Sequence, residues 1–142
     1  MNRRTLLIRL AMVLIAMAAL VTSERASATT PAAPCCNDYR LEIDCSVPSD
    51  CFPIKIDTYW LNGAVHTSPV IAGCGAYTIP LVPPLPPCYP NVNNLKYLTI
   101  NGTGPIVLPN QPTRVIIGGC CYLVEAIPDP ATGCLLVRIR RC

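Results

Sequence analysis

The chain has 142 residues, 10 of them cysteine and 16 proline, with 13% charged residues and a formal net charge of +3. Four of the 11 basic residues and one of the 8 acidic ones fall in the first 28 positions, so the remainder carries seven of each sign and is neutral. A neutral chain this poor in charge lacks the basic footprint of a nucleic-acid or anionic-membrane binder, and its length suits one domain rather than two.

Residues 1–28 read as a secretory signal peptide. Arg3, Arg4 and Arg9 form a positive n-region, "LAMVLIAMAALV" (Leu10 to Val21) is a short apolar core, and Ala26-Ser27-Ala28 is a small-residue cleavage site. The apolar run is too short to span a bilayer comfortably. Arg3-Arg4 followed by Leu6-Leu7 also resembles a twin-arginine export signal. No cysteine follows a lipoprotein-type cleavage pattern, so no lipid anchor is expected. The expected product is residues 29–142, a single disulfide-rich domain. It is expected to be secreted, at the cell surface or in the periplasm, with no membrane span once the signal is removed.

All ten cysteines lie in that product: Cys35, Cys36, Cys45, Cys51, Cys74, Cys88, Cys120, Cys121, Cys134 and Cys142. An even count in an exported chain implies a disulfide framework. No C-x-x-C occurs, which removes the usual zinc, thioredoxin and c-type haem spacings, and the lone His66 cannot complete a Cys₂His₂ site. Neither a metal nor a cofactor is expected. Five bridges can be wired about 945 ways by simple counting, and the sequence does not choose among them.

The elements that follow read as β. "YRLEIDC" alternates, with Tyr39, Leu41, Ile43 and Cys45 on one face and Arg40, Glu42 and Asp44 on the other. In "PIKIDTYWLNGAVHTSPVI", Asn62-Gly63 signals a hairpin, because a two-residue type I′ turn needs residues that tolerate positive φ. Pairing Leu61 with Ala64 turns Ile54, Ile56, Trp60 and Val65 inward. "AYTIPLV" is a further strand. "PLVPPLPPCYP" (Pro80 to Pro90) cannot be a central strand, since proline supplies no ladder donor, and it reads as an extended crossover. "LKYLTI" and "PIVL" flank a second Asn-Gly turn, where Asn101-Gly102-Thr103 also matches an N-glycosylation acceptor.

"TRVIIGG" and "CCYLVEAIPDPATGCLLVRIRRC" finish the chain. With "PDPATG" as the last loop and Ile127 opposite Cys134, Val124 faces Val137 and Tyr122 faces Ile139. That register turns Cys120 inward and Cys121, Cys134 and Cys142 outward, with Glu125 diagonal to Arg138. Adjacent strand residues point to opposite faces, so Cys120 and Cys121 should be bridged to different partners. No segment shows sustained 3.6-residue periodicity. Seven to nine short strands point to an all-β fold: an antiparallel β-sandwich (immunoglobulin-like or a similar Greek key) or a small barrel.

One constellation resembles catalytic chemistry. In the Leu61–Ala64 register Asp57, His66 and Ser68 share the outer face beside Lys55, and these are the residue types of a hydrolase triad. The setting is a flat strand pair without a nucleophile elbow or oxyanion hole, so no enzymatic activity is expected. Tyr59, Tyr77, Tyr89, Tyr97 and Trp60 are candidates for a stacking platform, with Trp60 assigned to the core by parity. The reading is a secreted structural, adhesive or binding domain, self-associating or attached to cell-envelope material. An alternative is a small secreted effector or inhibitor that presents the braced loop 80–94 to a target protein. A remoter one is a secreted hydrolase on the Asp57, His66 and Ser68 face.

Overall fold

A computed structural model describes residues 36–107 and 111–142, all within the unit Ala33–Cys142. The signal read in residues 1–28, and Cys35, lie outside the described residues. The fold is all-β. Its strands are β1 (Asp38–Ile43), β2 (Ile56–Trp60), β3 (Val65–Thr67), β4 (Gly75–Pro80), β5 (Leu95–Ile100), β6 (Thr103–Ile106), β7 (Thr113–Ile117), β8 (Cys120–Pro128) and β9 (Leu135–Arg141). Short 3₁₀ turns lie at Ser49–Cys51 and Val92–Asn94. The strands form a five-stranded sheet in the order β4-β1-β9-β8-β7 and a four-stranded sheet in the order β3-β2-β5-β6. Pairing is antiparallel except between β1 and β9, which run parallel. The wholly antiparallel expectation is corrected at that pair, where strands far apart in sequence meet without a hairpin to set their direction.

The alternation in "YRLEI" places Tyr39, Leu41 and Ile43 in the core and leaves Arg40 and Glu42 outside. Leu41, Val124, Val137 and Ile139 of the five-stranded sheet join Ile56, Trp60, Leu98, Ile100 and Ile106 of the four-stranded sheet in one apolar cluster. The proline-rich segment runs from the end of β4 to the 3₁₀ turn before β5, and so from one sheet to the other. It is fastened by burial of Leu81 and Leu85 and by a 2.6 Å hydrogen bond between His66 Nε2 and the Pro83 carbonyl.

The last hairpin is displaced by two residues from the sequence-based register. Val124 faces Ile139, Ala126 faces Val137, and Glu125 stands directly opposite Arg138 rather than diagonally. Asp129 is the cause. Its N–H donates to the Cys134 carbonyl at 2.6 Å, its carbonyl accepts from Gly133 N at 2.7 Å, and its Oδ1 accepts from Ala131 N at 2.9 Å. These bonds close a four-residue turn, Pro130 to Gly133, in which Gly133 takes φ +73°. A shift of two preserves parity, so the inward and outward sets survive. Cys134 belongs to the outer set yet is buried beside its partner Cys36, so the expectation that it points into solvent is corrected.

Four disulfides join described residues: Cys36–Cys134, Cys45–Cys74, Cys51–Cys120 and Cys121–Cys142. Cys88 is disulfide-bonded as well. The four staple the five-stranded sheet: β1 to β4, the entry of β1 to the entry of β9, the 3₁₀ turn at Cys51 to β8, and β8 to the chain end. The adjacent cysteines thus take different partners. Cys120 packs against the core and reaches buried Cys51, while Cys121 holds exposed Cys142. Beside them the Tyr122 hydroxyl donates to the Cys51 carbonyl at 2.7 Å.

Burial pushes the phenols of Tyr39 and Tyr122 above the ordinary 10.0, and the Asp57 carboxylate adds to the shift at Tyr39. A phenol whose folded pKa is raised stabilises the fold fully below its unfolded value, and that contribution is lost as pH rises past it. Stability is therefore expected to fall above about pH 10. At neutral pH the two residues should behave oppositely. The Tyr39 hydroxyl is buried without a partner among the described residues, so Tyr39→Phe should be neutral or stabilising. Tyr122→Phe loses the bond to Cys51 and should cost about 1–1.5 kcal/mol. Urea unfolding of both variants at about pH 8 and about pH 11 checks the sign and the window.

Candidate functional site

The triad expectation fails on a one-residue difference in the first hairpin. Trp60, not Leu61, closes the turn: its N–H donates to the Ala64 carbonyl at 3.0 Å, and Gly63 N donates back to the Trp60 carbonyl at 3.0 Å. Leu61, Asn62 and Gly63 form a three-residue loop, with Gly63 at φ +88° and Asn62 Oδ1 accepting from Ala64 N. β2 then pairs Asp57 with Thr67, Thr58 with His66 and Tyr59 with Val65. An odd shift exchanges the faces of β3. His66 and Ser68 turn inward and are buried, while Val65, expected in the core, is 49% exposed.

The three candidate catalytic residues therefore do different jobs. Asp57 Oδ1 accepts from the Thr67 hydroxyl at 2.6 Å on the outer face. Ser68 Oγ accepts from Ile56 N at 2.9 Å and donates to the Pro69 carbonyl at 2.8 Å. His66 lies edge-on to Trp60, with ring centroids 6.4 Å apart, and holds Pro83. No nucleophile–base pair results. Among the described residues no group of three or more His, Cys, Asp or Glu side chains could hold a metal ion. No helix among them is long and apolar enough to cross a membrane. Asn101 of the glycosylation motif takes φ +49° in the β5–β6 turn. Its Oδ1 accepts from Lys55 N at 2.8 Å and its Nδ2 donates to the Pro53 carbonyl at 3.2 Å, so the side chain ties the turn to the start of β2.

What remains as a candidate site is the contrast between the two outer faces. On the five-stranded sheet, ion pairs run across β1, β9 and β8. Arg40 lies 3.5 Å from Glu42, and Arg138 lies 3.2 Å from Glu42 and 3.4 Å from Glu125. These pairs are solvated and each adds little stability, and Asp38, Arg114 and Arg140 take no part in them among the described residues. A hollow of about 390 Å³ beside them is lined by Asp38, Arg40, Tyr77 and buried Asp129; Arg40 sits 4.0 Å from Asp129, whose other oxygen serves the β8–β9 turn.

On the four-stranded sheet an apolar row runs from β3 across β2 and β5 to Val107, just past the end of β6. Val65 is opposite Tyr59, and Tyr59 is opposite Tyr97. Leu98 pairs with Ile106, which sets Val107 beside Tyr97 one step further on. The two tyrosine rings stack with centroids 4.4 Å apart and planes 20° apart, a favourable cross-strand pair. Val65 and Val107 are 49% and 54% exposed at the two ends. The neighbouring row is polar, with Thr67, Asp57 and Thr99. Gly104 adjoins that row closely, since a Cβ there would come within 2.8 Å of the Thr99 methyl. Of the five aromatic candidates, the fold brings Tyr59 and Tyr97 together on this face. Trp60 is buried with Tyr89 against it, and Tyr77 lies on β4 with its hydroxyl bonded to the Gly73 carbonyl. A two-residue loop at Asn62-Gly63 would turn Val65 inward and hide this row; with Val65 on the outer face, alternation along β3, β2 and β5 brings it out. No family model, curated protein or solved structure matches the chain.

Proposed function

We propose that the protein is an exported, non-enzymatic β-sandwich domain of extracellular or cell-surface material, with a structural or adhesive role, that self-associates through the outer face of its four-stranded sheet. The observation that carries the reading is the apolar row Val65–Tyr59–Tyr97–Val107, with the Tyr59 and Tyr97 rings stacked at its middle. A disulfide-rich all-β domain of this size fits a secreted fold. A neutral chain with few charges offers little repulsion between copies. The effector reading has less support, because loop 80–94 is fastened to the body at Leu81, Pro83 and Leu85 rather than held out from it.

Light scattering on the oxidised exported protein, over a concentration series, should show oligomers that grow with concentration. Val65→Lys combined with Val107→Lys should weaken that growth by at least about tenfold in the association constant, with the melting temperature unchanged. A wild-type protein that never grows beyond a fixed small species, yet binds one soluble protein tightly, would overturn the reading in favour of the effector.

A further inference from the structure

Every open sheet has edges, and an unprotected edge offers its free N–H and C=O groups to another strand. The edges here are β4 and β7 in one sheet and β3 and β6 in the other. Three are blunted. β3 has three residues and leads into Ser68-Pro69, and β6 contains Pro105. β4 ends in Pro80 and is clamped at its start by Cys45–Cys74. β7, "TRVII", has five residues with no proline, glycine or lysine.

The turn after β7 fixes which of its backbone groups are free. Gly118 and Gly119, at φ +57° and +81°, form a two-residue loop closed by Ile117 and Cys120. The closing residues of such a hairpin exchange both of their N–H···O=C bonds, and the pattern then alternates along the strand. Thr113, Val115 and Ile117 therefore bond to β8, while the N–H and C=O of Arg114 and Ile116 point outward along the edge. Among the described residues no strand takes them. Val115 and Ile117 pack on the core, whereas the Ile116 side chain is 64% exposed.

We propose that β7 is a pairing edge for a second copy of this chain, the two β7 strands running antiparallel across a twofold axis and joining two five-stranded sheets into one. The groups to be satisfied are backbone groups, so the occupant is a strand. Of the segments outside the described residues, 29–35 carry Pro31 and Pro34 and 108–110 carry Pro109, which makes both poor donors, and residues 1–28, read as a signal, are absent from the exported protein tested below. A twofold centred on Val115 sets Arg114 against the partner's Ile116 and the converse. All four outward N–H groups of the two strands then find carbonyls. No cation faces a cation, and each arginine stem can cover an isoleucine. Centring on Arg114 instead would oppose the two guanidinium groups. The contact closes with a twofold, so it yields dimers rather than fibres.

Light scattering and amide hydrogen exchange on the exported wild-type protein test this directly. A dimer is expected at high concentration. The amides of Arg114 and Ile116 should be protected in the dimer and lose protection on dilution, while those of Val115 and Ile117 stay protected throughout. Ile116→Pro removes one outward donor without touching the β8 ladder, and Ile116→Lys places a charge on the edge. Each should weaken the dimer by about tenfold to a hundredfold, and Ile116→Val should leave it intact. Should Ile116→Pro fail to fold, Ile116→Lys and the wild-type exchange pattern decide. The inference does not rest on the apolar row of the other sheet, so Val65→Lys with Val107→Lys should leave the dimer in place. A monomer at every concentration, an open polymer as the smallest associated species, or Arg114 and Ile116 amides that exchange alike in monomer and dimer would each overturn it.

Discussion

Replacing Cys51 and Cys120 together by alanine is expected to cost about 4–6 kcal/mol, and replacing Cys121 and Cys142 together about 3 kcal/mol. The first bridge closes a sequence separation of 69 residues and the second one of 21. Loop-closure entropy alone makes the longer loop worth about 1 kcal/mol more. The remainder comes from place. Cys51 is buried in the core cluster with Cys120 packed against it, so their loss leaves an apolar gap and loosens the carbonyl that accepts from Tyr122. Cys142 is exposed, and its surroundings can relax into solvent. Against a total stability of about 5–15 kcal/mol, the first loss would unfold a large fraction of molecules on mild warming. Denaturant midpoints of the two double variants check the order. Equal losses, or a larger loss at Cys121–Cys142, would show that the packing around Cys51 contributes nothing.

Trp60→Ala is expected to cost about 3–5 kcal/mol, and Trp60→Phe no more than about 1.5 kcal/mol. Trp60 is 1% exposed and meets His66 and Tyr89 edge-on, each with ring centroids 6.4 Å away. It therefore supports two neighbours from different parts of the chain. Through His66 it also steadies the bond to the Pro83 carbonyl, which holds the proline-rich crossover. Phenylalanine keeps most of the packing and removes an indole N–H that has no partner among the described residues, which offsets part of the lost volume. Limited proteolysis adds a local readout: cleavage within residues 82–88 should accelerate in Trp60→Ala more than global unfolding explains. Cleavage that simply tracks the unfolded fraction would show that the crossover does not depend on Trp60.

The strand content was legible in the sequence because a half-buried strand repeats every two residues. Tyr39, Leu41 and Ile43, or Tyr122, Val124 and Ala126, announce their common face without reference to anything distant. The same parity separates Cys120 from Cys121, and so implies two partners while naming neither. Disulfide partners were not legible, since Cys51 and Cys120 are brought together only when the 3₁₀ turn packs on β8. The parallel β1–β9 pair has no local signal, because its strands are nearly a hundred residues apart.

Registers fell between these cases. At the last hairpin Asp129 closes the turn through its own backbone and carboxylate and shifts the register by two from the apolar match, and an even shift leaves every face unchanged. At the first hairpin the shift is one, and an odd shift inverts a strand. Two-residue and three-residue loops both place Gly63 at positive φ, so "NG" alone cannot separate them. The choice is made by Trp60, Tyr89 and the Pro83 carbonyl, which provide an inward site that suits His66 better than Val65. That one decision removes the Asp57–His66–Ser68 cluster and places Val65 on the outer face. Alternation is a local property of the extended chain, so the order of residues is enough to specify which segments become strands and which residues share a face. Which strands meet, in what register, and which face is left for a partner depend on what each side chain finds on arrival from elsewhere in the chain, and emerge only in the assembled fold.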